Sequence, residues 1–62
     1  MTKLYEYRKS IKKTATEMAI AIGIGKSLYY KIESGEREPS YKFLKKFRKA
    51  FDVPVDEMFF DS

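Results

Sequence analysis

TATEMAIAIGIGKSLYYKIE, residues 14–33, reads as two short helices meeting at a glycine corner. Thr14 and Glu17 stand three apart just before the apolar residues begin. The threonine hydroxyl can therefore accept from the third amide while the glutamate reaches back, a capping box that starts a helix. Met18, Ala19 and Ile22 share one face of that helix, and Gly23 follows them. A helix of under three turns ends most easily on a residue that takes positive φ without a Cβ clash. Ile24 can plug the corner. From Lys26 a second helix carries Leu28, Tyr29 and Ile32 on one side, while Lys26, Ser27, Tyr30, Lys31 and Ser34 share the other. One face packs and the opposite face is left to touch something else.

The same spacing arguments extend outward from this pair. The first helix is expected over roughly residues 2–12, with Leu4, Tyr7, the stem of Arg8 and Ile11 inward and Lys3, Lys9 and Lys12 outward. Gly35 ends the third helix, and Glu36, Arg37, Glu38 and Pro39 form a polar connection. Ser40 caps a fourth helix in which Tyr41, Leu44, Phe47 and Phe51 are spaced to bury, and Lys42, Lys45, Lys46, Arg48 and Lys49 to face water. Pro54 sits where a first-turn residue needs no amide, opening a short fifth helix with Val55, Met58 and Phe59 inward. Strand-like alternation is lacking, and no repeat or linker interrupts the chain. The expectation is an all-α, compact five-helix bundle forming a single domain over residues 1–62.

Charge narrows the function. Residues 1–31 hold seven Lys or Arg against two Glu, whereas residues 32–62 hold six against seven Asp or Glu. The positive half contains the paired helices, and from Asp52 onward there are four carboxylates and no base, so that end would be repelled by a polyanion. A helix-turn-helix with one free, basic helix face points to DNA. A chain of 62 residues buries only about 60% of its unfolded surface and leaves little room for an enzyme pocket. It has no cysteine and no histidine, so thiolate sites, disulfides and imidazole chemistry are excluded. The carboxylates Asp52, Asp56, Glu57 and Asp61 read as solvated caps rather than a metal or acid-base site. GIGKS ends like a phosphate-binding loop, yet the spacing demands glycine where Ile20 stands. No cofactor and no catalysis are expected. No signal peptide or bilayer-spanning run is present, which suits a cytoplasmic protein with no membrane partner.

Ala19, Gly23, Ile32, Glu33, Gly35, Pro39 and Ser40, in this order and without a gap, resemble the helix-turn-helix domain of phage repressors and Cro proteins, often called the XRE family. The likeness runs from Leu4 to Arg8, through TATEMAIAIGIGKSLYYKIESG and REPS, to AFDVPVDEMF. It implies a lambda-repressor-like bundle that binds double-stranded operator DNA as a sequence-specific transcriptional regulator. Lys26, Ser27, Tyr30 and Lys31 would read bases; a solvated helix face is the alternative. Lysine can donate to guanine O6 and N7, serine to several acceptors, and tyrosine can pack on a thymine methyl. Arg8 and Glu33 match a family pair that bridges the first helix to the end of the recognition helix, either as a structural ion pair alone or with a donor left for phosphate. Phosphates would meet the amides at Thr14, Ala15 and Thr16 and at Ser40 and Tyr41, where helix N-termini carry free N–H groups. Arg8, Ser34, Arg37 and Lys42 are further phosphate candidates.

Some positions depart from the family. Ala15 replaces a common glutamine, Gly25 a capping Ser or Thr, Lys13 an apolar residue and Tyr29 an aliphatic one, and Glu36 and Glu38 put negative charge in a loop that often approaches the backbone. These departures keep a second class open: a protein-interaction module on the same fold, such as an antitoxin or antirepressor, with a protein partner and weak DNA binding. A homodimer is expected through the closing helix, with Val55, Phe59 and Phe60 supplying an apolar patch.

Overall fold

The computed structural model describes residues 2–59, with the side chains of residues 56 and 57 outside that description. The elements are α1 (Lys3–Ser10), α2 (Ala15–Ile22), α3 (Lys26–Glu33), α4 (Tyr41–Phe51) and a five-residue helical turn, α5 (Val55–Phe59). The architecture is thus all-α, with four helices of two turns or more, a closing turn and no strand among the described residues. The first helix is shorter than the expected span, and Pro54 precedes the closing turn rather than occupying its first position.

Local chemistry sets the boundaries. Thr14 caps α2 with its hydroxyl, accepting from the Glu17 amide at 3.1 Å, and the Glu17 carboxylate accepts the Thr14 amide at 2.8 Å. That bond to the Thr14 amide, followed by the contact with its hydroxyl, holds the Glu17 carboxyl below the usual range. Gly23 ends α2 at φ 86°, its amide donating to the Ala19 carbonyl. Ser40 caps α4 by accepting from the Phe43 amide at 3.1 Å. α1 closes differently: Lys12 takes φ 57° and the Lys13 amide returns to the Arg8 carbonyl at 3.2 Å. A lysine in the left-handed region gives no glycine signal to read.

The core is Leu4, Ala15, Met18, Ala19, Ile22, Tyr29, Ile32, Phe43 and Phe47, with Tyr7, Ile24, Leu28, Leu44, Phe51 and the closing residues packed around it. α2 packs on both α3 and α4, and α5 lies against α1 and α4. Phe47 is fully buried and meets four rings: Phe51 at 5.2 Å, Phe59 at 5.4 Å, Tyr7 at 6.0 Å and Phe43 at 6.1 Å between centroids. Tyr41 corrects the sequence reading. Expected to bury, it is 76% exposed, and Phe43 takes the core position instead. At 100° per residue Phe43, Leu44, Phe47 and Phe51 fill one arc of α4, and Tyr41 lies roughly a third of a turn from its middle. Its hydroxyl stays in water, with Lys45 Nζ 5.5 Å from the ring centroid.

Candidate nucleic-acid interface

The two sides of α3 differ sharply. Tyr29, Ile32 and Glu33 are buried and Leu28 half-buried, whereas Lys26, Ser27, Tyr30, Lys31 and Ser34 are exposed along the opposite side. Gly25 caps this helix with extended backbone and no side-chain bond, so its first amides gain nothing from their own chain. The exposed side carries two ammonium groups and no carboxylate. Lys26 Nζ lies 5.8 Å from the centroid of the Tyr30 ring one helical turn on. The Tyr29 ring backs Tyr30 from the core side at 6.5 Å, inclined by 64°.

What fixes α3 in place is a buried carboxylate. Glu33 is 3% exposed, and a charge removed from water must be paired and hydrogen-bonded. Arg8 supplies the pair, with Nε donating to Oε2 at 2.6 Å and Nη2 to Oε1 at 3.2 Å. Its remaining nitrogen, Nη1, donates to the Lys13 carbonyl at 2.9 Å. Tyr29 adds its hydroxyl to Glu33 Oε2 at 2.7 Å. The bond to Glu33 raises the Arg8 guanidinium above its ordinary range against the opposing effect of desolvation. Burial first, and then the bond to Glu33, pushes the Tyr29 hydroxyl well above the usual phenol range. Thr2 closes the same corner: its hydroxyl donates to the Glu33 carbonyl at 2.5 Å and accepts the Tyr5 amide at 3.3 Å, capping α1 while tying it to the end of α3. Every nitrogen of Arg8 already has a partner within the chain, so its first role is to hold α3 against α1.

The helix starts refine the phosphate candidates. Thr14 has both its amide and its hydroxyl engaged by Glu17, which leaves the amides of Ala15 and Thr16 as the donors without an intrahelical acceptor. Ala15 is buried through its methyl and Thr16 is exposed. In α4 the Phe43 amide is taken by Ser40, leaving those of Tyr41 and Lys42, and both of these residues are exposed. Arg37 is exposed between Glu36 and Glu38, its amide fixed on the Lys31 carbonyl at 3.0 Å. Lys46 donates to the Gly23 carbonyl at 3.4 Å, closing the C-terminus of α2.

The paired helices, the glycine corner and the anchored exposed face lie within α2 and α3, and a helix-turn-helix family model matches residues 4–58, nearly the whole chain. The chain belongs to the XRE-type helix-turn-helix family. It is 41% identical over 56 residues, 90% of this chain and 50% of that protein, to the cryptic phage CTXphi transcriptional repressor RstR of Vibrio cholerae serotype O1. A second protein of the same name from Vibrio cholerae is 37% identical over 46 residues, 74% of this chain and 41% of that protein. The chain therefore spans about half the length of the curated relatives it matches. No solved structure matches it significantly.

In this family member Val55 and Phe59 are half-buried, and the Phe59 ring packs edge-on against Phe43 at 5.6 Å and Phe47 at 5.4 Å. Phe60 lies outside the described residues. Among the described residues no cluster of three or more His, Cys, Asp or Glu could hold a metal, and no helix is long and apolar enough to cross a membrane. Periodicity placed Tyr29 inward but missed two bonds that anchor α3, those of the Tyr29 and Thr2 hydroxyls. The first could have been found, because Tyr29 stands four residues before Glu33 on the same helix. The second could not, because the partner of Thr2 is 31 residues away. Ile20 is 74% exposed on α2, off the face shared by Met18, Ala19 and Ile22.

Proposed function

We propose that this chain binds operator DNA as a transcriptional regulator of the phage-repressor type, acting in the cytoplasm by occupying its site rather than by catalysis. The α1 to α4 arrangement with its closing turn serves as a lambda-repressor-like bundle that carries α3 into the major groove. The observation that supports this most is the division of α3: a buried Glu33 tied to Arg8, Tyr29 and Thr2 on one side, and Lys26, Ser27, Tyr30 and Lys31 exposed together on the other. A helix this firmly anchored presents its outer side chains to base edges in a fixed register. Around it the amides of Ala15, Thr16, Tyr41 and Lys42, with Ser34 and the cations of Arg37 and Lys42, hold phosphates on either side of the groove.

Lys26→Ala and Lys31→Ala test the assignment of base readers. Each is expected to lose about 1–3 kcal/mol of discrimination between a selected duplex and a random one, the range for a good bidentate contact. The check is a binding titration of both duplexes with wild type and variants. Equal losses on the two duplexes would turn these lysines into phosphate contacts.

A two-fold dimer belongs to the same proposal, because one recognition helix covers only a few base pairs and two half-sites one turn of DNA apart supply the missing reach. The closing segment, with Val55, Phe59 and Phe60, is the surface proposed for it. Part of the Phe59 ring is committed to its own core, so the contact would use the remainder of that face. Sedimentation over a range of concentrations should show self-association that Phe60→Ser weakens. A chain that stays monomeric and occupies its operator without cooperativity contradicts the dimer.

A further inference from the structure

We infer that Lys26 and Tyr30 act as one reading unit, which recognises a guanine whose neighbouring base pair carries a thymine methyl. The inference rests on the reading that α3 enters the major groove, and it narrows the DNA sequence that α3 can take. Its starting point is the contact between the two side chains. Lys26 Nζ lies 5.8 Å from the Tyr30 ring centroid, and Tyr30 is 47% exposed. That ring is backed by Tyr29, which is fully buried and has its own hydroxyl fixed on Glu33 at 2.7 Å. The aromatic half of the unit therefore has a rigid support, and the ammonium is drawn toward the ring it overlies.

An ammonium has three donors. One directed at the ring leaves two for the duplex, and guanine is the base that offers two acceptors, O6 and N7, on its major-groove edge. The ring needs an apolar partner, and the thymine C5-methyl is the one apolar group that an unmodified base pair shows in that groove. Spacing joins the two choices. Base pairs rise by about 3.4 Å, so the 5.8 Å between ammonium and ring exceeds one rise and falls short of two. The twist of the duplex adds a sideways displacement to each rise, so the unit spans neighbouring pairs rather than a single base or bases two steps apart.

Base analogues test this directly. A duplex selected from a random pool by the wild type is remade with uracil for each thymine in turn, which removes only the methyl, and with 7-deazaguanine for each guanine, which removes only the N7 acceptor. Uracil beside the guanine contacted by Lys26 should weaken the wild type about fourfold, the worth of one buried methyl, and leave Tyr30→Ala unchanged. Tyr30→Phe should keep the methyl effect, because the ring and not the hydroxyl makes the contact. At the guanine itself 7-deazaguanine should cost the wild type about tenfold and Lys26→Ala much less. Selected sites in which that guanine has no thymine neighbour, or a wild type indifferent to uracil there, would overturn the unit and leave DNA recognition by α3 standing. A chain that selects no sequence at all would overturn both.

Discussion

Arg8→Ala should lower the stability of the chain by about 3 kcal/mol, the lower end of what is lost when one partner of a buried ion pair is removed. Glu33 is 3% exposed, and without Arg8 it keeps the Tyr29 hydroxyl as its donor, too little for a buried negative charge. The same substitution frees the Lys13 carbonyl, which receives Arg8 Nη1, and so loosens the end of α1. Lys9→Ala is the control. Lys9 is exposed, with Nζ 6.0 Å from the Tyr5 ring, and its removal should shift stability by no more than about 0.5 kcal/mol. Urea midpoints compare the pair, and coinciding midpoints would mean that the bridge contributes nothing. A domain of this size has a total stability of only about 3–9 kcal/mol, so the Arg8 variant should lose a third or more of it and keep about 0–6 kcal/mol. Toward the lower end of that range, DNA binding measured on it would report folding before it reported any phosphate contact.

Phe47→Ala should cost about 3–5 kcal/mol, a third or more of the stability of a domain this small. Phe47 is fully buried and in ring contact with Tyr7, Phe43, Phe51 and Phe59, which come from α1, α4 and α5. Truncation therefore removes apolar area and also opens a cavity that three elements would have to collapse together to fill. Phe47→Leu keeps most of the volume and should cost about 1–2 kcal/mol. Circular dichroism at 222 nm with thermal melting separates the three proteins. A Phe47→Ala variant that melts with the wild type would place the core elsewhere.

The parts of the fold that sequence made legible are those written in short-range chemistry. Thr14 with Glu17, Gly23 and Ser40 each announce a helix end through a side chain or a missing Cβ within three residues. The inward side of α3 follows because it has a single apolar stripe, and that of α2 follows from the spacing of Met18, Ala19 and Ile22. α4 was harder: the three-residue steps from Tyr41 to Leu44 and Phe47 suggest an inward Tyr41, and only the arc shared with Phe51 shows that Phe43 takes the core position. The interface was legible as a set of exposed side chains on α3, since Lys26, Ser27, Tyr30 and Lys31 follow from the helical repeat. Its support was not. The pairing of Arg8 with Glu33 spans 25 residues and came only from family resemblance, and the bond from Thr2 to the Glu33 carbonyl spans 31, beyond any local rule. The left-handed Lys12 marks a different limit, because the amides of Lys12 and Lys13 return to the carbonyls of Lys9 and Arg8 through a backbone that a lysine does not favour.

Titration of the wild-type chain against a duplex at 50 mM and 200 mM salt tests the central claim, that this surface binds DNA through its cations. With about four phosphates neutralised per chain, affinity should fall about a hundredfold between the two concentrations as counterions are released. Acidic loop residues Glu36 and Glu38 would moderate the affinity without abolishing that dependence. A duplex that binds equally well at both concentrations, or not at all at the lower one, would contradict the account and favour a protein partner for this fold.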